Sequence, residues 1–172
     1  MLAFSIAGHI FVSRGARKTS MRKLGNEEAA RLCTGAAVPA SLRQELQALA
    51  AEGTLWETQS IWSPWPGIEV TTDIVPVAEG HLRIHHVSSG LACEAYDCGF
   101  AVSGNYHTLV QKEIDAVCQV QPLACPGERT MIHAEANTNI SHPESVIPAV
   151  RYQVVAGENV LVTLVRVPCS RM

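Results

Sequence analysis

The sequence predicts an all-β fold, an antiparallel β-sandwich preceded by a short, partly helical N-terminal arm. Two observations carry this. Residues 56–172 break into short runs rich in Val, Ile and Thr, divided by Gly, Pro and Asn turn signals at regular spacing. Charge and composition also change near Gly53: residues 1–55 carry seven Lys/Arg and four Asp/Glu, residues 56–172 six and twelve. The arm is thus assigned to residues 1–55, with 14–40 loosely attached, and the sandwich to 56–172. At 172 residues the chain suits one domain plus an arm.

Taken in order, Met1 to Val12 is apolar but broken by Gly8 and His9. Its positive charges, Arg14, Arg17 and Lys18, follow the apolar part, the reverse of a secretory signal. Helix formers run through Glu27–Leu32 and Ala40–Glu52. Ser41 with Gln44 reads as a capping box and Gly53 as the C-terminal stop. Leu42, Leu46 and Leu49 form one apolar stripe. Strands are expected at Gly67–Val75, His81–Val87, Ala92–Val102, Glu113–Val120, Arg129–Glu135, Val150–Ala156 and Val160–Val167. Ala156-Gly157-Glu158-Asn159, between two apolar runs, reads as a hairpin turn.

Composition narrows the function. Hydrophobic residues are 47% and charged residues 17%, which excludes a disordered chain. A net charge of −3 offers nothing to a nucleic acid. No apolar run reaches the ~20 residues of a membrane span, so a cytoplasmic location is expected. Six cysteines, Cys33, Cys93, Cys98, Cys118, Cys125 and Cys169, form no C-x-x-C pair, and buried reduced thiols are expected. Neither metal nor cofactor is expected: the phosphate-binding and dinucleotide-binding glycine motifs are absent, as is a nucleophile elbow. No catalytic residue is assigned.

Two features suggest a ligand. In the strand His81–Val87, alternation sends His81, Arg83 and His85 to one face and Leu82, Ile84 and His86 to the other. Two imidazoles and a guanidinium suit an anionic or hydroxylated ligand, an acidic oligosaccharide for example. They do not suit one metal ion, since His81 and His85 lie about 13 Å apart along a strand. A plain solvated sheet surface would give the same pattern. All three tryptophans fall between Trp56 and Trp65. Trp62 and Trp65 offer flat faces for sugar rings, although indoles also plug sandwich ends. His133 and Glu135 share a strand face, a weaker signal. Glu94 and Asp97, oddly spaced, fall on opposite faces.

From Ile61-Trp62-Ser63-Pro64-Trp65-Pro66-Gly67-Ile68-Glu69-Val70-Thr71-Thr72 onward the chain resembles the C-terminal part of the DUF2264 proteins. The similarity continues through His81–Val87 and is clearest at Asn137-Thr138-Asn139-Ile140-Ser141-His142-Pro143-Glu144-Ser145-Val146-Ile147-Pro148. It covers roughly residues 55–168, whereas residues 14–54 match poorly. The resemblance implies a β-sandwich that follows a helical toroid in longer members, an architecture similar to heparinase-type polysaccharide lyases. The toroid, where a catalytic cleft is expected, does not fit within this chain. The resemblance therefore implies a carbohydrate-associated accessory or binding domain without its catalytic toroid. The alternatives are a small enzyme abstracting a proton from an acidic polysaccharide, and a structural domain docking on a separate helical partner.

Overall fold

The computed structural model describes residues 2–7, 9–11, 18–34, 38–100, 102–103, 111–124, 127–133 and 145–168. Alternating apolar residues in these segments build two antiparallel sheets. The first runs in the order β10 (Gly127–His133), β11 (Ser145–Val154), β7 (Cys93–Cys98), β1 (Leu2–Ile6), β2 (His9–Phe11), with β8 (Val102–Ser103) also on β11. The second runs β3 (Lys18–Lys23), β4 (Trp56–Trp65), β5 (Ile68–Val77), β6 (Gly80–Ser89), β12 (Gly157–Arg166), β9 (Gln119–Ala124). The sandwich expected from sequence is therefore present.

The two sheets enclose one core, in which Phe4, Trp62, Val70, Val87, Val150, Tyr152, Leu161 and Val165 are buried. Trp62 meets Phe4 edge-on, with ring centroids 6.2 Å apart. The Tyr152 hydroxyl lies 2.8 Å from the Val162 carbonyl and 2.7 Å from Thr163 Oγ1, bridging β11 and β12. A third layer covers the other face of the second sheet. Helices α1 (Asn26–Thr34) and α2 (Ala40–Glu52) seat Ala29, Leu42, Leu46 and Ala50 against Val75, Leu82, Ile84, Val162 and Leu164. Among the described residues the second sheet thus has apolar neighbours on both sides and the first on one.

The helices differ from their sequence signals at one end. α2 starts at Ala40, behind Pro39, with no side-chain cap, so Ser41 lies inside the helix. Pro39 itself takes the N-cap position with extended backbone, and its carbonyl accepts the Arg43 N–H at 3.0 Å, so the helix starts ahead of the expected serine cap. Its C-terminus is as expected: Gly53 is left-handed at φ 74°, and its N–H and that of Thr54 close on the Ala50 and Leu49 carbonyls.

Other expectations fail for physical reasons. The strand expected at Glu113–Val120 is helical over most of its length, in α3 (Gln111–Val117), and β9 begins only at Gln119. The one buried residue of α3, Ile114, seats this seven-residue helix on the core. Ala156–Asn159 does not close a hairpin. β11 lies in the first sheet and β12 in the second, so this turn arches between them. Asn159 satisfies the arch: its side chain accepts the Val155 N–H and donates to the carbonyls of Val155, Gly157 and Val87. The sequence also gave no sign of β1, β2 or β3, or of a strand through the tryptophans.

At Gly80 the strand β6 runs so close to β12 that a Cβ would stand 1.9 Å from the Val165 carbonyl oxygen. Only glycine fits that approach.

Candidate functional site

The strand β6 presents His81, Arg83 and His85 on one face, as alternation requires. That face points between the sheets, not into solvent. Arg83 and His85 are buried, and their partner is Asp97 on β7 of the opposite sheet. Arg83 donates through Nη1 to Asp97 Oδ1 at 2.7 Å and to the Cys98 carbonyl at 2.7 Å. Its Nε donates to His81 Nε2 at 2.8 Å. His85 Nε2 lies 2.8 Å from Asp97 Oδ2, and its Nδ1 lies 2.8 Å from Thr72 Oγ1. Trp62 Nε1 donates to the same hydroxyl at 3.4 Å.

His85 thus bridges Thr72 and Asp97, its Nε2–H donating to the carboxylate, while Trp62 Nε1–H shares the Thr72 hydroxyl. Burial by itself would raise the Asp97 carboxyl. His85 first, and Arg83 after it, outweigh that and hold it well below the usual carboxylate range. His81, half-buried beside the Arg83 guanidinium, is lowered to about 4, mainly by desolvation and then by that charge. The polar groups expected to greet a ligand are thus occupied with one another. Neither the solvated sheet surface nor an open groove describes this strand face.

The tryptophans separate in the same way. Trp62 is in the core, whereas Trp56 and Trp65 are exposed. A register shift lies between Trp62 and Trp65, so they do not share one stacking surface. Glu94 faces outward, where it accepts from Tyr96 and Gln153, and Asp97 faces inward, which agrees with their odd spacing. Glu135 and the His133 side chain lie outside the described residues, as do Cys125, Cys169 and the Asn137–Glu144 stretch. Cys93, Cys98 and Cys118 are free thiols; burial pushes Cys93 and Cys98 up.

A cleft of about 310 Å³ opens on the other face of the second sheet, beside α1. Its apolar lining is Leu24, Leu32, Ile84, Val160 and Val162. Into it converge Arg22 from β3, Glu28 and Arg31 from α1, Glu57 from β4, Asp73 from β5 and His86 from β6. Strand register brings them together: Arg22 is opposite Glu57, Gln59 opposite Asp73, and Asp73 opposite Ile84.

Arg22 Nε donates to Glu57 Oε2 at 2.7 Å. Gln59 Nε2 donates to Asp73 Oδ1 at 2.9 Å, and His86 Nε2 stands 3.8 Å from Asp73 Oδ2. Glu57 and Asp73 line the cleft together, from neighbouring strands. Burial, and then this second carboxyl, raise Glu57 above the usual carboxylate range against the pull of Arg22. At the floor, then, are two carboxyls able to share a proton; at the rim are an exposed guanidinium and an exposed imidazole. Such a set can pair with hydroxyls, grip an anion and move a proton.

The alternation of β6 put His86 on the face away from His81, Arg83 and His85, and no ligand was expected there. Sequence reasoning passed over Arg22, Glu57 and Asp73. The available signal was alternation: Glu57 and Gln59 on one strand and Asp73 on the next share a face with His86. Among the described residues no group of three or more His, Cys, Asp or Glu side chains is arranged to hold a metal ion. None of the described helices is long and apolar enough to cross a membrane.

No curated protein and no solved structure matches the chain. One family model does, that of the DUF2264 C-terminal domain, over residues 40–124. This stretch begins with α2, so the helix that sequence similarity had left in the poorly matching segment 14–54 belongs to it. It contains Glu57, Asp73, His86 and Asp97, while Arg22, α1 and β12 lie outside it, as does the Asn137–Pro148 element. Through residues 40–124 the chain is similar to the DUF2264 C-terminal domain.

Proposed function

We propose that this is a carbohydrate-associated accessory domain and that its ligand lies in the cleft beside α1. The observation behind this reading is the lining of that cleft. An apolar bed formed by Ile84, Val160 and Val162 is bordered by Glu57, Asp73, His86 and Arg22. Sugars present the complement, a ring of C–H groups edged by hydroxyls that both donate and accept. Concave sites with an apolar lining and a few convergent polar groups are the usual form of small-ligand sites.

Calorimetric titration with neutral and acidic oligosaccharides tests the reading. At least one is expected to bind, and Val160→Trp, which fills the cleft from its exposed rim, is expected to abolish that binding. Failure of every saccharide to bind sinks the proposal. Binding that survives Val160→Trp moves the site elsewhere.

A second reading, a small enzyme acting by proton abstraction on an acidic polysaccharide, draws on Glu57. A carboxyl raised by burial and by Asp73, with His86 near that aspartate, puts groups able to give and take a proton in one cleft. Release of unsaturated product from such a polysaccharide, followed by its ultraviolet absorbance, separates an enzyme from a binder.

A further inference from the structure

We propose that the cleft is a carboxylate subsite in which the Nη fork of Arg22 takes the carboxylate of a uronate-bearing saccharide, and that binding draws a proton onto the Glu57–Asp73 pair. This rests on the cleft being the saccharide site and adds the ligand's charge and the control of its entry.

The geometry of Arg22 is the first observation. Its Nε is engaged by Glu57, which fixes the plane of the guanidinium. Among the described residues its two Nη groups have no hydrogen-bond partner, and the side chain is 63% exposed at the cleft. A guanidinium held by one edge and open at the other matches a carboxylate with two parallel bonds. Lysine at this position would keep the charge and lose the fork.

The second observation is the charge around that fork. Arg22 on β3 and Arg31 on α1 are positive; Glu28 on α1 is negative. Glu57 on β4 and Asp73 on β5 form the floor pair, and His86 on β6 stands at the rim; β12 contributes only Val160 and Val162. With one proton on the pair, the floor bears a single negative charge. With none it bears two, directly behind the guanidinium that must receive an anion. The anion therefore prefers the protonated pair, and by linkage its binding takes up a proton. The raised Glu57 carboxyl agrees with a pair that keeps this proton further toward neutral pH than an ordinary carboxylate does.

The sign is definite. Uronate carboxylates stay ionised down to about pH 4, in line with simple carboxyl groups. Glu57 is raised above the ordinary carboxylate range, so as pH is lowered from about 7.5 to 5.5 the share of pairs carrying a proton grows while the ligand keeps its charge, and affinity rises. His86, at the rim, is the other titratable group facing the fork. Two variants separate these sources. Glu57→Gln places an amide where the protonated carboxyl was, able to donate to Asp73 and to accept from Arg22. His86→Ala removes the imidazole alone.

The experiment is calorimetry with trigalacturonate and with its neutral galactose counterpart, at both pH values and in two buffers of different ionisation enthalpy. Affinity for trigalacturonate is expected to rise by about three- to tenfold on acidification, with proton uptake, as for one coupled group. Glu57→Gln should bind at the higher pH as tightly as the wild type at the lower, without proton uptake, while His86→Ala retains most of the pH dependence. Arg22→Gln should lose the preference for the uronate. Circular dichroism shows whether each variant is folded. Wild-type affinity that ignores pH, or Arg22→Gln that still prefers the uronate, overturns the inference. If neutral saccharides bind and the uronate binds no better, this inference falls and the carbohydrate reading stands; if nothing binds, both fall.

Discussion

At Asp97 a fully buried carboxylate accepts from Arg83 at one oxygen and meets His85 at the other, across the gap between the two sheets. A buried pair of this kind need not add net stability over an apolar core, but breaking it is costly, because the partner is left charged and dry. Asp97→Ala is therefore expected to cost about 3–5 kcal/mol in urea unfolding, whereas His86→Ala, on an exposed side chain, should stay within about 0.5 kcal/mol. The pH dependence follows from the lowered carboxyl. A carboxylate depressed in the folded state contributes stability above its unfolded value, near 3.9, and that contribution is lost as pH falls through the still lower folded value. Acid unfolding of the wild type below about pH 4 should thus be steeper than that of Asp97→Asn. Equal slopes would mean that Asp97 carries no such linkage. The pairing of His81, Arg83 and His85 was legible from period-two alternation. The side they face was not, because alternation is symmetric. A strand with apolar layers on both sides normally reads as a continuous apolar run. Here the polar residues of that run are paired internally, and such pairs look like surface when Asp97 is read without its cross-sheet partner.

At the scale of elements, α2 is the best test of what the N-terminal segment does. Its stripe of Leu42 and Leu46 was visible in the sequence, but the surface it covers was not, since nothing local says that a sheet has a second apolar face. Leu46 is buried against the second sheet. Its replacement by alanine should cost about 2–5 kcal/mol, the range for a buried leucine, measured as a lower urea midpoint with an unchanged slope. A loss below about 1 kcal/mol would make α2 a loosely attached arm. The elements that sequence missed have a common cause. β3 is an edge strand whose residues, Lys18 to Lys23, are all exposed, so it carries no apolar alternation. Lysines at both ends suit an edge that must not pair with another chain. β1 is short and interrupted soon after by Gly8, and its strand character comes from β7 and β2 on either side. The arch at Ala156–Asn159 looks like a hairpin because turn chemistry is local, whereas the choice of sheet depends on Tyr152 and Leu161 meeting across the core.

For the whole molecule, the question is whether residues 1–55 and 56–172 unfold together. The composition break at Gly53 suggested an arm and a separate sandwich, while the contacts argue for one unit. β1 lies inside the first sheet, with Leu2 to Ser5 in register with Asp97 to Glu94 on β7, and Leu2, Ala3 and Phe4 are buried. β3 edges the second sheet, and Leu24 closes on the Leu55 carbonyl beside the α2 core. Removing residues 1–55 would uncover Val75, Leu82, Ile84, Val162 and Leu164 together with the paired edge of β7. A patch of that kind exceeds what soluble monomers usually expose. Two-state unfolding of the full chain should then give coincident transitions by tryptophan fluorescence, which reports β4, and by far-ultraviolet dichroism, which includes the helices. Native-state hydrogen exchange gives the sharper reading. The paired amides of Leu2–Ser5 should exchange with the same free energy as those of β7, the strand they pair with, since fraying of a true arm would lower theirs alone. Protection of β1 by several kcal/mol less than β7, or a fragment 56–172 that stays soluble and cooperatively folded, would restore the two-part division.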